Sequence, residues 1–230
     1  MRRLATLPAL LALLFTSLAH AQTWTEGTNY FPVVPAQHTS VPAGKIEVAE
    51  IFSYACPFCA QFNPLIQQLK KSLPANAQLV FVPASFNPSE DWPMFQRATC
   101  TAQTLGILDK THDAMFDAVW KTGELAISDP KTRVLKKQQP TIEDTARYYN
   151  RISGVAVDKF LNTAKSFSVD VAMKRADALV LAYHIDGTPS LVVNGKYRIT
   201  GESAGGMKQM IELALWLVAK ESKQSQSTKR

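Results

Sequence analysis

The sequence predicts an α/β domain: a central mixed sheet flanked by helices, split by a large all-helical insertion. Three observations carry that expectation. Residues 45–52 and 79–82 are apolar runs of strand length separated by a stretch with helical spacing, which implies two parallel strands joined by a right-handed crossover. Residues 93–182 then show helical patterns only. The last part, 183–219, reads as strand, Asn194-Gly195 turn, strand and closing helix.

Taken in chain order, the N-terminus opens with Arg2 and Arg3, continues through an apolar stretch at 4–18, and reaches the small-x-small site Ala19-His20-Ala21. This is the pattern of a cleaved secretory signal over residues 1–21, too short for a comfortable membrane span of roughly 20 apolar residues. Gln22 offers no thiol for a lipid anchor, and the C-terminal residues 227–230 are no retention signal. A soluble protein of the bacterial periplasm is expected. Residues 22–44, with Pro32, Pro35 and Pro42, read as an irregular lead-in.

The first strand candidate carries Ile46, Val48, Ala49, Ile51 and Phe52, apolar enough to be buried on both faces. Phe62, Leu65, Ile66 and Leu69 follow at helical spacing, and the Leu73-Pro74 step ends that helix. Together, 45–92 and 183–219 are expected to form one sheet-containing domain. Within the insertion, Thr141 and Asp144 form a capping box, and Ser168 is the expected N-cap of a helix bearing Val169, Met173, Ala176, Val180 and Tyr183. After the turn, Met207, Ile211, Ala214, Leu215 and Val218 mark the closing helix, and 220–230 read as a disordered polar tail.

The formal charge of +6 is not a basic surface. Arg2 and Arg3 carry +2 and the tail +3, which leaves +1 on residues 22–219. That excludes nucleic acid as an expected partner, because phosphate binding needs concentrated positive charge. The cluster Lys131, Arg133, Lys136 and Lys137 reads as a solvated loop face.

The chemistry rests on Cys56-Pro57-Phe58-Cys59 at a strand-to-helix junction. Three cysteines are too few for a disulfide-stapled scaffold. Two thiols at this spacing suit disulfide exchange, in which a thiolate attacks. A free thiol with a pKa of about 8.5 supplies little of it at neutral pH, so the site must stabilise negative charge. Cys56 is expected just before the first helical turn, with the unpaired N–H groups and the positive helix end facing its sulfur. Pro57 suits the next position because its missing N–H would be unpaired there. Cys56 is then the sulfur that forms a mixed disulfide and Cys59 the buried resolving thiol. The same spacing also serves as half a zinc site, but Cys100, His38, His112 and His184 show no second ligand pair, and no metal or other cofactor is expected. Cys100 is expected to be a buried free thiol rather than a third redox centre.

The segment Glu47-Val48-Ala49-Glu50-Ile51-Phe52-Ser53-Tyr54-Ala55-Cys56-Pro57-Phe58-Cys59, the helical insertion and Gly187-Thr188-Pro189 together resemble the thioredoxin superfamily, and within it the DsbA family of periplasmic thiol oxidases. The resemblance spans roughly 45–219. It implies a thioredoxin fold, a cis Pro189 opposite the cysteines, and a Thr188 backbone that pairs with an extended substrate, where the residues alone leave a trans edge-strand proline as the default. It also implies that Glu50 is a buried acid moving a proton for Cys59; the residues alone equally allow a salt bridge to Lys45 or Lys196. Implied partners are folding secreted proteins with free cysteines and a DsbB-like quinone-linked membrane oxidase. A monomer is expected, because 22–44 is too short for a dimerisation domain. A reductase or isomerase of the same fold is the nearest competing function, and a metal-delivery or chaperone-like binding module a more distant one. The dipeptide departs from the family's Pro-His. Phe58 places an apolar ring where a donor could sit, which is expected to raise the Cys56 pKa and weaken the oxidant; it either contacts substrate or packs on the protein's own surface.

Overall fold

The computed structural model describes residues 23–227. The expected secretory signal at 1–21 lies outside them. Strand β1 is Phe31–Pro32, β2 is Ile46–Phe52, helix α1 is Pro57–Ser72 and β3 is Ala77–Pro83. The insertion contributes α2 (Trp92–Thr104), α3 (Leu108–Trp120), α4 (Ile142–Ser153), α5 (Val157–Ala164) and α6 (Phe167–Ala182). Strands β4 (Ser190–Val193) and β5 (Tyr197–Thr200), the short α7 (Gly201–Ala204) and α8 (Met207–Ser227) complete the chain. The sheet runs β1-β5-β4-β2-β3; β2 and β3 are parallel and the remaining pairs antiparallel, which makes the sheet mixed as the apolar runs predicted.

Every residue of β2 is buried, because it sits between β3 and β4 with helices on both faces. That burial gives the strand its continuous apolar pattern. Its one anomaly is charge: Glu47 and Glu50 are buried with it. Glu47 is satisfied by the backbone N–H and hydroxyl of Ser40, both at 2.6 Å. Glu50 is not.

The β4–β5 connection uses Asn194 and Gly195 at φ of 54° and 64°, the left-handed region that this dipeptide favours in hairpin turns. Gly195 has a second reason to lack a side chain. A Cβ there would stand 2.2 Å from the Gln37 carbonyl oxygen, whose N–H donates to Gly195 O at 2.9 Å.

Four expectations are corrected. Part of the lead-in is structured: Phe31 and Pro32 pair antiparallel with Arg198 and Tyr197, and Trp24, Tyr30 and Val33 are buried. A proline at Pro32 is tolerated because β1 is the sheet edge. The insertion is not wholly helical, since residues 122–140 are irregular and joined by a Ser128–Leu135 bridge. Ser166, not Ser168, caps α6, because its hydroxyl accepts from Val169 N–H at 3.4 Å while also donating to the Thr163 carbonyl. Finally, residues 220–227 continue α8 rather than forming a disordered tail. Glu221 is buried there, accepting from Asn194 Nδ2 at 2.5 Å and Lys196 Nζ at 2.6 Å, and Lys220 lies over the rings of Tyr30, Tyr197 and Trp216. Polar composition concealed these long-range partners.

The capping box of α4 is present: Thr141 Oγ1 accepts from Asp144 N–H and the Asp144 carboxylate accepts from Thr141 N–H at 2.8 Å.

Candidate active site

Cys56 is the N-cap of α1. Its extended backbone, φ −87° and ψ 118°, turns its sulfur onto the helix end, where Sγ accepts the Cys59 N–H at 3.4 Å. Pro57 occupies the first helical position, and no acidic side chain stands in the first turn to oppose a thiolate. The turn leading into it is held by Cys56 N–H donating to Ser53 O at 3.1 Å and Ala55 N–H donating to Ser53 Oγ at 3.2 Å.

Both thiols are free, and they differ in access: Cys56 is 4% exposed and Cys59 is fully covered. The Cys59 thiol, the Thr188 side chain and the backbone N–H groups of Cys59 and Phe58 hold the Cys56 thiol down to about 6, against the opposing effect of its burial. Burial, then the neighbouring Cys56, pushes Cys59 well above the ordinary thiol range. One sulfur is therefore an anion at neutral pH and the other a thiol.

The Thr188–Pro189 peptide bond is cis, and the Cys56 sulfur stands 3.4 Å from the Thr188 carbonyl oxygen, to which it donates when protonated. The loop before β4 thus lies directly against the reactive sulfur, 132 residues away in sequence. Phe58, 58% exposed, overhangs a groove of about 770 Å³ whose walls include Thr188, Pro189, Phe31, Met207 and Met210. Its ring forms a wall of the groove and is not folded away in the core. Replacing Phe58→His is expected to put a donor beside the Cys56 sulfur and shift its thiolate equilibrium about tenfold toward the anion. An ultraviolet thiolate titration reads this; an unchanged or raised Cys56 pKa would rule it out.

Glu50 lies in the middle of β2, opposite Phe81 of β3 and Leu191 of β4, with no exposed surface. Neither carboxylate oxygen has a hydrogen-bond partner. Of the two roles left open by the residues, the salt bridge does not form: Lys196 pairs with Glu221 instead. Burial first, and the negative Cys56 second, raise the Glu50 pKa to about 8, so at neutral pH it is a neutral acid that can give up a proton.

Cys100 is buried in α2 and pushed up to about 12, chiefly by burial, which leaves it an unreactive thiol. Among the described residues no cluster of three His, Cys, Asp or Glu could hold a metal.

Two supports were not visible in the sequence. Trp120 Nε1 donates to Tyr54 O at 2.7 Å, and Tyr54 Oη bonds His112 Nδ1 at 2.9 Å. His112 is packed against Phe81, Phe52 and Phe116, and burial lowers its pKa to about 3, so it stays neutral. These contacts span 66 and 58 residues, and no local spacing signals them.

A family model described as the DSBA-like thioredoxin domain matches residues 47–210. The chain is 36% identical over 217 residues to the thiol:disulfide interchange protein DsbA of Pseudomonas aeruginosa, covering 94% of this chain and 95% of that protein. It is 37% identical to the Azotobacter vinelandii protein of the same name, covering 80% of this chain and 79% of that one. The crystal structure of Pseudomonas aeruginosa DsbA superposes with a TM-score of 0.73 at 33% identity, over 88% of this chain and 97% of the other. The oxidoreductase DsbA from Xylella fastidiosa gives 0.72 at 30% identity, over 84% and 95%. Among the described residues no helix is long and apolar enough to cross a membrane.

Proposed function

The chain belongs to the DsbA-like thioredoxin-domain family of thiol:disulfide oxidoreductases, and on that premise we propose that its Cys56–Cys59 disulfide is donated to folding secreted proteins in the bacterial periplasm. A substrate thiolate attacks Cys56 Sγ. The Cys56–Cys59 bond breaks, and Cys59 leaves with the electron pair and takes a proton from Glu50. A second substrate thiolate then attacks the substrate sulfur of the mixed disulfide and expels Cys56 as a thiolate. The substrate loses two electrons as its disulfide forms, and the enzyme becomes the dithiol. Thr188 and Pro189 align the substrate backbone beside Cys56, and Phe58 contacts it. Two electrons must then leave the dithiol, for which a DsbB-like quinone-linked membrane oxidase is the fitting acceptor. A monomer suffices, since Cys56, Cys59, Glu50, Thr188 and Pro189 all come from one chain.

The observation that carries this reading is the Cys56 sulfur at the N-terminus of α1 with its pKa held down to about 6. At pH 7 about nine-tenths of it is thiolate, against a few per cent of an ordinary thiol. That stabilises the reduced form by about 1.4 kcal/mol and raises the potential by about 30 mV. The test is equilibration of residues 22–230 with graded glutathione buffers at several pH values. The potential is expected above that of the glutathione pool. It should fall by about 59 mV per pH unit below pH 6, where reduction takes up two protons, and by about 30 mV per unit above it, where it takes up one. A potential at or below the glutathione pool would turn the assignment to a reductase or isomerase.

A further inference from the structure

A second groove starts at Pro57, the residue after Cys56, and shares no lining residue with the groove at Thr188 and Pro189. It has a volume of about 450 Å³, begins at Pro57 and Ala60 on α1, and is floored by the buried Phe116, Val119 and Ile127. Pro64 lies inside α1 and lines the same groove. It has no N–H to give the Ala60 carbonyl four residues back. The far rim is the irregular loop at 128–133, including Arg133.

That loop carries the cationic cluster. Lys131, Arg133, Lys136 and Lys137 are all exposed, and none makes an ion pair among the described residues. The neighbouring acids are already engaged. Asp117 pairs with Lys121 and Glu124 with Arg151, while Asp129 accepts the N–H groups of Lys131 and Thr132 and attracts Lys136. Uncompensated positive charge beside an apolar trough that starts one residue from Cys56 fits one occupant best.

We propose that this groove is a second substrate subsite, which seats an apolar side chain of the polypeptide being oxidised and sets acidic side chains next to it against Lys131 and Arg133. The inference rests on the oxidase reading of Cys56. It gives the enzyme a preference among cysteine-containing segments that the Phe58 groove does not supply.

The test uses the oxidised full-length mature protein and three dithiol peptides of equal length, identical except that one cysteine is flanked by Leu-Asp-Asp, Leu-Lys-Lys or Ser-Asp-Asp. Dithiothreitol, an uncharged dithiol with no side chain to seat in the groove, serves as the control. At low salt the Leu-Asp-Asp peptide should be oxidised about tenfold faster than Leu-Lys-Lys, with the advantage shrinking as salt screens it. Ser-Asp-Asp should also be slower than Leu-Asp-Asp. The exposed double variant Lys131→Glu/Arg133→Glu should reverse the charge preference while leaving the dithiothreitol rate unchanged. Equal rates for all three peptides, or a preference untouched by the charge reversal, would overturn the subsite. Equal peptide rates with wild-type binding to phosphatidylglycerol vesicles that the double variant loses would overturn it in favour of a lipid-facing surface. Failure to oxidise any peptide, with normal dithiothreitol oxidation, would instead overturn the oxidase reading itself.

Discussion

Cys56→Ser is expected to abolish oxidation of peptide dithiols completely, whereas Cys59→Ser should stall the reaction with substrate attached. The difference follows from position. Cys56 is the N-cap, with its sulfur against the Thr188 carbonyl and reachable from the groove, while Cys59 lies one turn inside α1 and is fully covered. A serine at 56 removes the sulfur that an incoming thiolate attacks, and its hydroxyl cannot form a disulfide. With serine at 59, Cys56 still forms mixed disulfides with a suitable oxidised donor, but no neighbouring thiol remains to resolve them from the enzyme side. Non-reducing electrophoresis and mass spectrometry of the adducts would show substrate on Cys56 alone in Cys59→Ser. Adducts at Cys59 in Cys56→Ser would contradict the assignment of roles.

Glu50→Gln is expected to flatten a large pH dependence of stability in the reduced protein. The folded-state pKa of Glu50 is raised from 4.5 to about 8, so the folded form holds a proton that the unfolded chain releases as pH rises between those values. Native stability associated with Glu50 is therefore fully present below about pH 4.5, falls through the window, and is lost above about pH 8. A shift of that size in a fully covered group corresponds to about 4 kcal/mol between pH 5 and pH 9. Glutamine has no such titration, so urea unfolding of the dithiol forms should show the variant gaining on the wild type by about that amount across the window. Parallel curves for the two proteins would mean that Glu50 finds a partner or water and titrates normally. The same variant should slow mixed-disulfide formation and reoxidation, the steps that move a proton at Cys59, because the amide cannot donate and recover one.

Why natural selection of residues would leave so costly an acid in β2 is answered by its surroundings. An acid with two unpartnered oxygens in a strand whose every residue is buried stabilises nothing in the fold. Its neighbours in the electrostatic sense are Cys56 and Cys59, and each ionisation there is felt by the others. The destabilised carboxylate and the stabilised Cys56 thiolate are thus electrostatically coupled, as the proposed proton transfer to Cys59 requires.

How much of this was legible depended on the range of the interactions involved. The β2 strand, α1 with Cys56 and Pro57 at its start, the α4 capping box and the Asn194-Gly195 turn could all be read because each is set by residues within a few positions: burial on both faces, a missing N–H, a reciprocal cap, a positive φ. The insertion's outline was legible for the same reason, while its irregular stretch at 122–140 was not, since it carries no period. Edge strand β1 was hidden in a proline-rich segment because its two paired residues answer to Arg198 and Tyr197. The C-terminal turns of α8 were hidden because Glu221 and Lys220 look like solvated charges until Asn194, Lys196 and the rings of Tyr30, Tyr197 and Trp216 stand beside them.

By itself the sequence determined that two thiols share one helix start, that a strand buries an acid six residues earlier, and that the chain alternates sheet and helix in the order the fold needs. Only the tertiary structure decided which groups meet those thiols. The Thr188 carbonyl comes to 3.4 Å of the Cys56 sulfur, Glu50 loses any cation to pair with, Trp120 anchors the turn at Tyr54, and Phe58 is left standing over a groove. Each of these is a contact across dozens of residues. A thiol's pKa and an acid's protonation depend on what lies within a few ångströms, and sequence separation carries almost no information about that distance.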